Sequence, residues 1–430
     1  MARILSSSRV LPWALAFAAL LCAGAGAQEA PAEAVPKILT LPTATEIMLR
    51  KSPLLLRERQ NIPVMQAGVV EARQIPNPEI EIASESYPVF DATPGPFLNN
   101  QELSFRAAQT FETAGKRKKR INVARQEVAI ATAGVDDTVR QLKLELKRRY
   151  YGVVLAKAQA NLAKEMLQEF DQVIRLTEAR YKQGEISGLE MSRTKTERLR
   201  FFNDLVHANL QIKNAKATLL EIMGVMESSE FDVEEKLRLE LIPDAIDELR
   251  RGALQNRSDL MAARYGLERS KRQLDLEHAN AIPNLTASFG YKRDFGANTP
   301  VAGISIPVPL FNRNKAGVAR ATAEIEQQNQ EVSRVSLAVV REVQQAWDSL
   351  NAQAEIVKAL QEEYVPSASR ARDIAQQSYR LGSLDLIGLL ESERSYREAL
   401  RTYNQSLYDY KTATFELEAA VGKEFGTYGK

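Results

Sequence analysis

Cysteine is almost absent from this sequence, with Cys22 the single example in 430 residues. A fold stapled by disulfides is excluded, and so is a thiolate metal centre. Histidine is nearly as scarce. His207 and His278 stand on separate helical stretches, so no histidine cluster with metal-ligand spacing exists. Charge of one sign is not in excess either, with 57 Lys and Arg against 55 Asp and Glu. A nucleic-acid-binding role is therefore disfavoured. After the first residues, no apolar run is long enough for a transmembrane helix, which needs about 20 residues. Phosphate-binding loops, nucleophile elbows, zinc motifs and dinucleotide fingerprints are also missing. Carboxylates are plentiful, but no pair is set apart as acid and base, so no cofactor and no enzymatic chemistry are expected.

What is present begins with an export leader over residues 1–27. Arg3 and Arg9 form its basic start, Val10 to Leu21 its apolar core, and Ala25-Gly26-Ala27 a small-residue cleavage site. A lipoprotein leader would place a small residue before its cysteine, but Leu21 stands there. Cleavage before Gln28, without acylation, is the expectation. If the exported chain sits in a membrane it must do so as a closed barrel, because no later helix can span one.

Four landmarks occur twice in the same order, at an offset of about 200 residues. Ile75-Pro76-Asn77-Pro78 returns as Ile282-Pro283-Asn284-Leu285, and Thr110-Phe111 as Leu310-Phe311. Tyr181-Lys182-Gln183-Gly184 returns as Tyr379-Arg380-Leu381-Gly382, and Leu220 to Gly224 as Glu418 to Gly422. The chain reads as two tandem units, residues 28–242 and 243–430, joined near Pro243.

Each unit repeats one plan. A helical stretch ends at the Ile-Pro-Asn motif, where proline stops it. Two alternating segments follow, near residues 78–90 and 101–112, then near 284–293 and 301–311. Leu103, Phe105 and Ala107 fall on one face, with Glu102, Ser104 and Arg106 on the other. Ala287, Phe289 and Tyr291 form a similar apolar face, as do Ala302, Ile304, Ile306 and Val308. In the first segment, Glu79-Ile80-Glu81-Ile82, the alternation weakens after Ala83. Turns are expected at Asp91 to Asn100 and at Asp294 to Pro300. Such strands fit a membrane barrel with a wet interior, and equally a small soluble hairpin with one buried face.

A very long helical hairpin then closes each unit, near residues 114–224 and 314–422. Ile121, Ala124, Val128, Ala131, Val135, Val139, Leu142, Leu146 and Tyr150 mark one stripe at helical spacing. The residues from Val332 through Val339, Val343, Ala346, Leu350 and Val357 to Leu360 repeat it. The stretch from Ala114 to Tyr181 would reach roughly 100 Å at ~1.5 Å per residue, a length that normally packs as a coiled coil. Pro366 is expected to kink its helix. The Tyr-x-x-Gly motif breaks each long helix at a glycine cap.

Four strands cannot close a barrel alone, but strands pooled from several copies in a ring can. The order strand, strand, long hairpin, twice over, resembles that of the TolC-type outer membrane efflux proteins across nearly all of the exported chain. Two segments carry the resemblance in detail: Gln109-Thr110-Phe111-Glu112-Thr113-Ala114-Gly115-Lys116-Arg117, and Ile304 to Asn314. Their wording is nearest the heavy-metal efflux branch typified by CzcC and CusC. The resemblance implies a mainly α fold with a small β part. It implies a homotrimer, with a twelve-stranded outer-membrane barrel continued by a helical periplasmic tube. It further implies a Gram-negative outer-membrane location, contact with outer-membrane lipid, a periplasmic adaptor and an inner-membrane pump of the RND type as partners, and passive efflux of metal cations. Drug efflux, type I protein secretion or a structural periplasmic coiled coil are the alternatives.

The hairpin ends are the candidate site. The resemblance makes Tyr181, Gly184, Ile186, Ser187 and Leu189, and Tyr379, Gly382, Leu384, Asp385 and Leu386, an adaptor-docking surface. A plain helix–turn–helix is the alternative. Glu391 is a candidate for an acidic ring at the tube's inner end, or else part of a solvated helix surface; Gly388 stands at a position where the resemblance implies a further acid. The basic run Lys116 to Arg120 is expected as a solvated face at the barrel–tube junction, able to meet lipid phosphates.

Overall fold

The computed structural model describes residues 35–85, 102–226, 230–239, 245–294 and 297–425. The leader with Cys22 and Gln28, the turn at Asp91 to Asn100, and Pro243 lie outside the described residues. The elements are α1 (Leu41–Lys51), α2 (Pro53–Arg59), α3 (Asn61–Arg73), β1 (Glu79–Glu85), β2 (Glu102–Phe111), α4 (Lys116–Lys182), α5 (Gly188–Met223), α6 (Ile246–Asn256) and α7 (Ser258–Asn280). They continue through β3 (Leu285–Asp294), β4 (Ala297–Ser305), α8 (Lys315–Ala359), a π-helical turn (Leu360–Tyr364), α9 (Val365–Arg380) and α10 (Leu386–Val421).

The strands form one antiparallel sheet in the order β1-β2-β3-β4. Opposed residues share a face, so the register sorts the sheet into two sides. Ile80, Ile82, Leu103, Phe105, Tyr291, Phe289 and Ile304 lie on one side, with Phe105 opposite Tyr291 and Ala107 opposite Phe289. These large apolar residues are exposed. Glu79, Glu81, Glu85, Glu102, Ser104, Arg106, Ser288, Lys292 and Asp294 lie on the other, where Lys292 pairs with Glu102 at 2.8 Å. The turn expected at Asp294 to Pro300 is shorter than the sequence suggested. β4 already runs at Ala297, and Pro300 sits opposite Tyr291. A proline is tolerated there because β4 is an edge strand. The same strand ends at Ser305, short of the expected 311, before Pro307 and Pro309.

Below the sheet the helices lie side by side. Near the strands the order is α3, α4, α7, α8; toward the hairpin ends it is α5, α4, α10, α9. Helix α4 runs 67 residues without a break. Its buried stripe, including Val135, Leu142, Leu146 and Tyr150, joins α1, α5 and Phe415 of α10 in one core. Val339, Val343, Leu350, Tyr410 and Leu417 centre a second core on α8 and α10. Each fully buried Leu or Val side chain contributes about 1.5–3 kcal/mol, so a charged residue at Val343 would break this stripe. Further down, Phe170 and Phe201 stack at 4.7 Å between ring centres and hold α4 to α5. Pro366 is accommodated by the π turn just above it, where the Val365 N–H reaches back to the Leu360 carbonyl.

Candidate functional site: the paired hairpin ends

Both hairpin ends close by the same backbone device. Gly184 and Gly382 adopt φ of 75° and 77°, a left-handed conformation that costs glycine nothing. The Gly184 N–H donates to the Tyr181 carbonyl at 3.0 Å and the Glu185 N–H to Arg180 at 3.0 Å. Gly382 and Ser383 repeat this on Tyr379 and Ser378, at 3.1 and 2.9 Å. Each returning helix is then capped by a side chain. Ser187 Oγ accepts from the Glu190 N–H at 3.2 Å, and the Asp385 carboxylate accepts from the Gly388 N–H at 2.9 Å.

The side chains of the two ends part company where the backbones agree. Tyr181 is 48% exposed, whereas Tyr379 is 1% exposed. Tyr379 packs with Ala375, Leu386 and Leu389. Its phenol oxygen lies 3.2 Å from Thr177 Oγ1, and the Arg180 guanidinium covers its ring at 5.2 Å. Burial raises the pKa of this phenol. Ile186 and Leu384 are half-buried, Leu386 is buried and Leu189 is exposed. Tyr379 and Leu386 therefore hold the two hairpins together and present no free surface. The outward apolar residues are Tyr181 and Leu189 on one end, and Leu381 and Ile387 on the other. Sequence reasoning passed over Leu381 and Ile387, since exposure follows from how one hairpin leans on the other.

Glu391 is exposed on α10. Glu393, two positions on along the same helix, is buried and takes a hydrogen bond from Gln376 Nε2 at 2.7 Å. Burial raises the Glu393 pKa above the ordinary carboxylate range. Close by, Arg372 bonds to Glu169 at 3.2 Å and lies over the Tyr396 ring at 4.0 Å. Two more pairs join the hairpins, Arg394 to Glu197 at 3.1 Å and Arg397 to Asp204 at 2.9 Å. In all three the carboxylate belongs to the first hairpin and the guanidinium to the second.

The basic run at the start of α4 is only in part the solvated face expected of it: Arg117 and Lys118 are exposed, whereas Lys116 is not. Lys116 is buried and donates to the Ile282 carbonyl at 2.6 Å. Its burial lowers its pKa. Arg117 donates to the Arg73 carbonyl at 2.6 Å, Lys119 to Asp275 at 3.0 Å and Arg120 to Gln74 at 3.1 Å. The reason is geometric: α3 and α7 end or run beside the start of α4 with carbonyls that need donors, and cations suit helix C-termini.

The sequence model of one family, described as outer membrane efflux protein, matches residues 45–225 and 249–423. The chain is 23% identical over 388 residues to the cobalt-zinc-cadmium resistance protein CzcC of Cupriavidus metallidurans, covering 90% of each. It is 23% identical over 297 residues to the nickel and cobalt resistance protein CnrC of the same species, covering 68% of each. The outer membrane protein TolC of Vibrio cholerae is 24% identical over 235 residues, 51% of this chain and 53% of that one. Among solved structures, CusC superimposes with a TM-score of 0.76 at 17% identity, over 93% of this chain and 96% of that one. VceC of Vibrio cholerae does so with a TM-score of 0.72 at 21% identity, over 89% and 96%.

Proposed function

The chain belongs to the outer membrane efflux protein family, and on that footing we propose that three copies form the outer-membrane exit duct of a tripartite efflux system for metal cations. One observation carries the ring: every layer is open on the same two flanks. The sheet ends in β1 on one side and β4 on the other. The helices end in α3 and α5 on the first side, α8 and α9 on the second. Both helical flanks bear exposed apolar seams. Leu199, Phe202, Val206 and Leu210 line α5, while Ile356, Tyr364, Ile374 and Leu381 follow the other edge. Two unlike flanks meeting head to tail generate a ring when the rotation closes.

In that ring the apolar sheet face turns to lipid and the charged face lines the lumen. The tube below conducts passively, and no bond is made or broken. The exposed hairpin ends dock a periplasmic adaptor, which links the duct to an inner-membrane pump of the RND type. The metal cargo is supported by the names of the CzcC and CnrC relatives.

The test is complementation in a Gram-negative host lacking its own duct, with the cognate adaptor and pump supplied. Intracellular zinc, cobalt and cadmium should fall when the chain is expressed. Lowered drug accumulation or protease secretion without metal export would replace the cargo and keep the duct. A stable monomer in outer-membrane extracts would remove the duct itself.

A further inference from the structure

At the foot of the sheet, exposed apolar surface gives way to exposed cations. On the apolar side the last row sets Phe111 opposite Leu285, and Phe111 is half exposed. Leu310 and Phe311, which follow β4, are more open still, at 68% and 100%. Just past these residues the charge pattern changes. No acid occurs between Glu112 and Glu127, a stretch with six cations, and none between Asp294 and Glu324, a stretch with three. Arg120 is neutralised by Glu112, and Lys116 is buried. Arg117 and Lys118 on α4, Arg313 just before α8 and Lys315 at its start are exposed. Among the described residues, no carboxylate pairs with these four. Arg117 donates only to the Arg73 carbonyl, and Arg313 to the Pro309 carbonyl at 3.2 Å.

The placement of these cations works against the local backbone. The first turns of α4 and α8 hold no acid, and a cation there faces the positive end of the helix dipole. An anion from outside the chain would offset that. Direction agrees with an outside partner. Arg117 and Arg120 reach the end of α3, while Lys116 and Lys119 reach the α7 side. With ~3.6 residues per turn, Lys118 is then turned away from both neighbours. A band of cations bordering an apolar band matches the phosphate level of a bilayer. We propose that Arg117, Lys118, Arg313 and Lys315 form a site for the phosphate headgroups of anionic phospholipid in the periplasmic leaflet. Phe111 and Phe311 lie against the acyl chains of that lipid. Charge complementarity and continuity with the lipid-facing side of the sheet select this occupant. The direction the sheet faces rests on the duct reading.

Native mass spectrometry of the full-length protein in detergent tests this, with phosphatidylglycerol and phosphatidylcholine of the same acyl chains as competing probes. The wild type should retain phosphatidylglycerol about tenfold more than phosphatidylcholine, and less so as salt is raised. Arg117→Gln, Lys118→Gln, Arg313→Gln and Lys315→Gln together should bring that ratio close to one, with the oligomer as in wild type. Should the fourfold variant fail to assemble, Lys118→Gln alone should lower the ratio about threefold. Arg193→Gln with Lys195→Gln removes two exposed cations near the first hairpin end and should leave the ratio unchanged. An equal fall there would reduce the effect to general charge attraction and overturn the site. Excess inorganic phosphate should leave the lipid bound; displacement would make this a free-phosphate site and overturn the lipid assignment. Equal retention of both lipids by the wild type, or an unchanged ratio in the assembled fourfold variant, would overturn the site and leave the duct standing. A chain that retains neither phospholipid would overturn the lipid-facing sheet, and the site with it.

Discussion

The phenol of Tyr379 donates to Glu190 Oε1 at 3.3 Å, so the end of the second hairpin is fastened to the first turn of α5 in the first. Neither residue is near the other in sequence. Replacing Tyr379 by Phe keeps the packed ring and removes the hydroxyl, a change of roughly 0.5–1.5 kcal/mol. The variant should fold and assemble, while its hairpin ends part more readily. Limited trypsin digestion reads this at Arg180, Lys182 and Arg380. Cleavage several-fold faster than wild type, about threefold to tenfold for that energy, is the expected result. Unchanged cleavage would show the contact to be idle.

Gly184 and Gly382 lead to a second expectation. Alanine in the left-handed region costs about 1 kcal/mol at each site. That is small beside the packing of two long helical hairpins. The double variant Gly184→Ala with Gly382→Ala should reach the outer membrane as trimers and lose adaptor cross-linking and efflux together. Retained cross-linking and efflux would mean that the ends are only turns.

Glu393 sets a pH dependence. Its surroundings are Gln376, Arg372 and Asp373 on α9 and Glu169 on α4, and burial outweighs the rest in raising its pKa above the ordinary 4.5. A carboxyl with a raised folded pKa favours the folded contact when protonated. That contribution is complete below 4.5 and is lost as pH rises through the elevated value. The hairpin ends should thus be held more tightly in mild acid. Glu393→Gln should flatten the pH profile of trypsin resistance, and a profile identical to wild type would refute the assignment.

The seam on α5 carries the ring prediction. Phe202→Glu with Val206→Glu places two carboxylates where a neighbouring copy is to sit. An unpaired charge buried at such a contact costs several kcal/mol, of the order of 3–5. Native mass spectrometry in mild detergent should find monomers with unchanged helical circular dichroism. Intact trimers would move the interface elsewhere.

The long helices, the strands and the glycine breaks were legible because each rests on local chemistry. Val335, Val339 and Val343 repeat at helical spacing, and Leu103 and Phe105 alternate, whatever else the chain does. What escaped depends on contacts between distant segments. Tyr181 and Tyr379 stand in matching motifs, yet only Tyr379 is buried, against Thr177 and Arg180 of the first hairpin. Glu393 was hidden for the same reason while Glu391 drew the eye. Lys116 reads as part of a charged surface, but it meets the Ile282 carbonyl, 166 residues away. No periodicity encodes such a meeting.

The last turn of α10 is held from both halves of the chain. Arg140 donates to the Ala419 carbonyl at 2.9 Å and Arg257 to Ala420 at 3.1 Å. Phe415 also completes the core built on Tyr151 and Leu219 of the first half of the chain. The first half therefore has a gap that only the final stretch of polypeptide can fill. As the chain is threaded into the periplasm from its N-terminus, neither half can finish until that stretch arrives. A truncation of a few dozen residues at the C-terminus should consequently be cleared by proteolysis as a whole, the intact first half included.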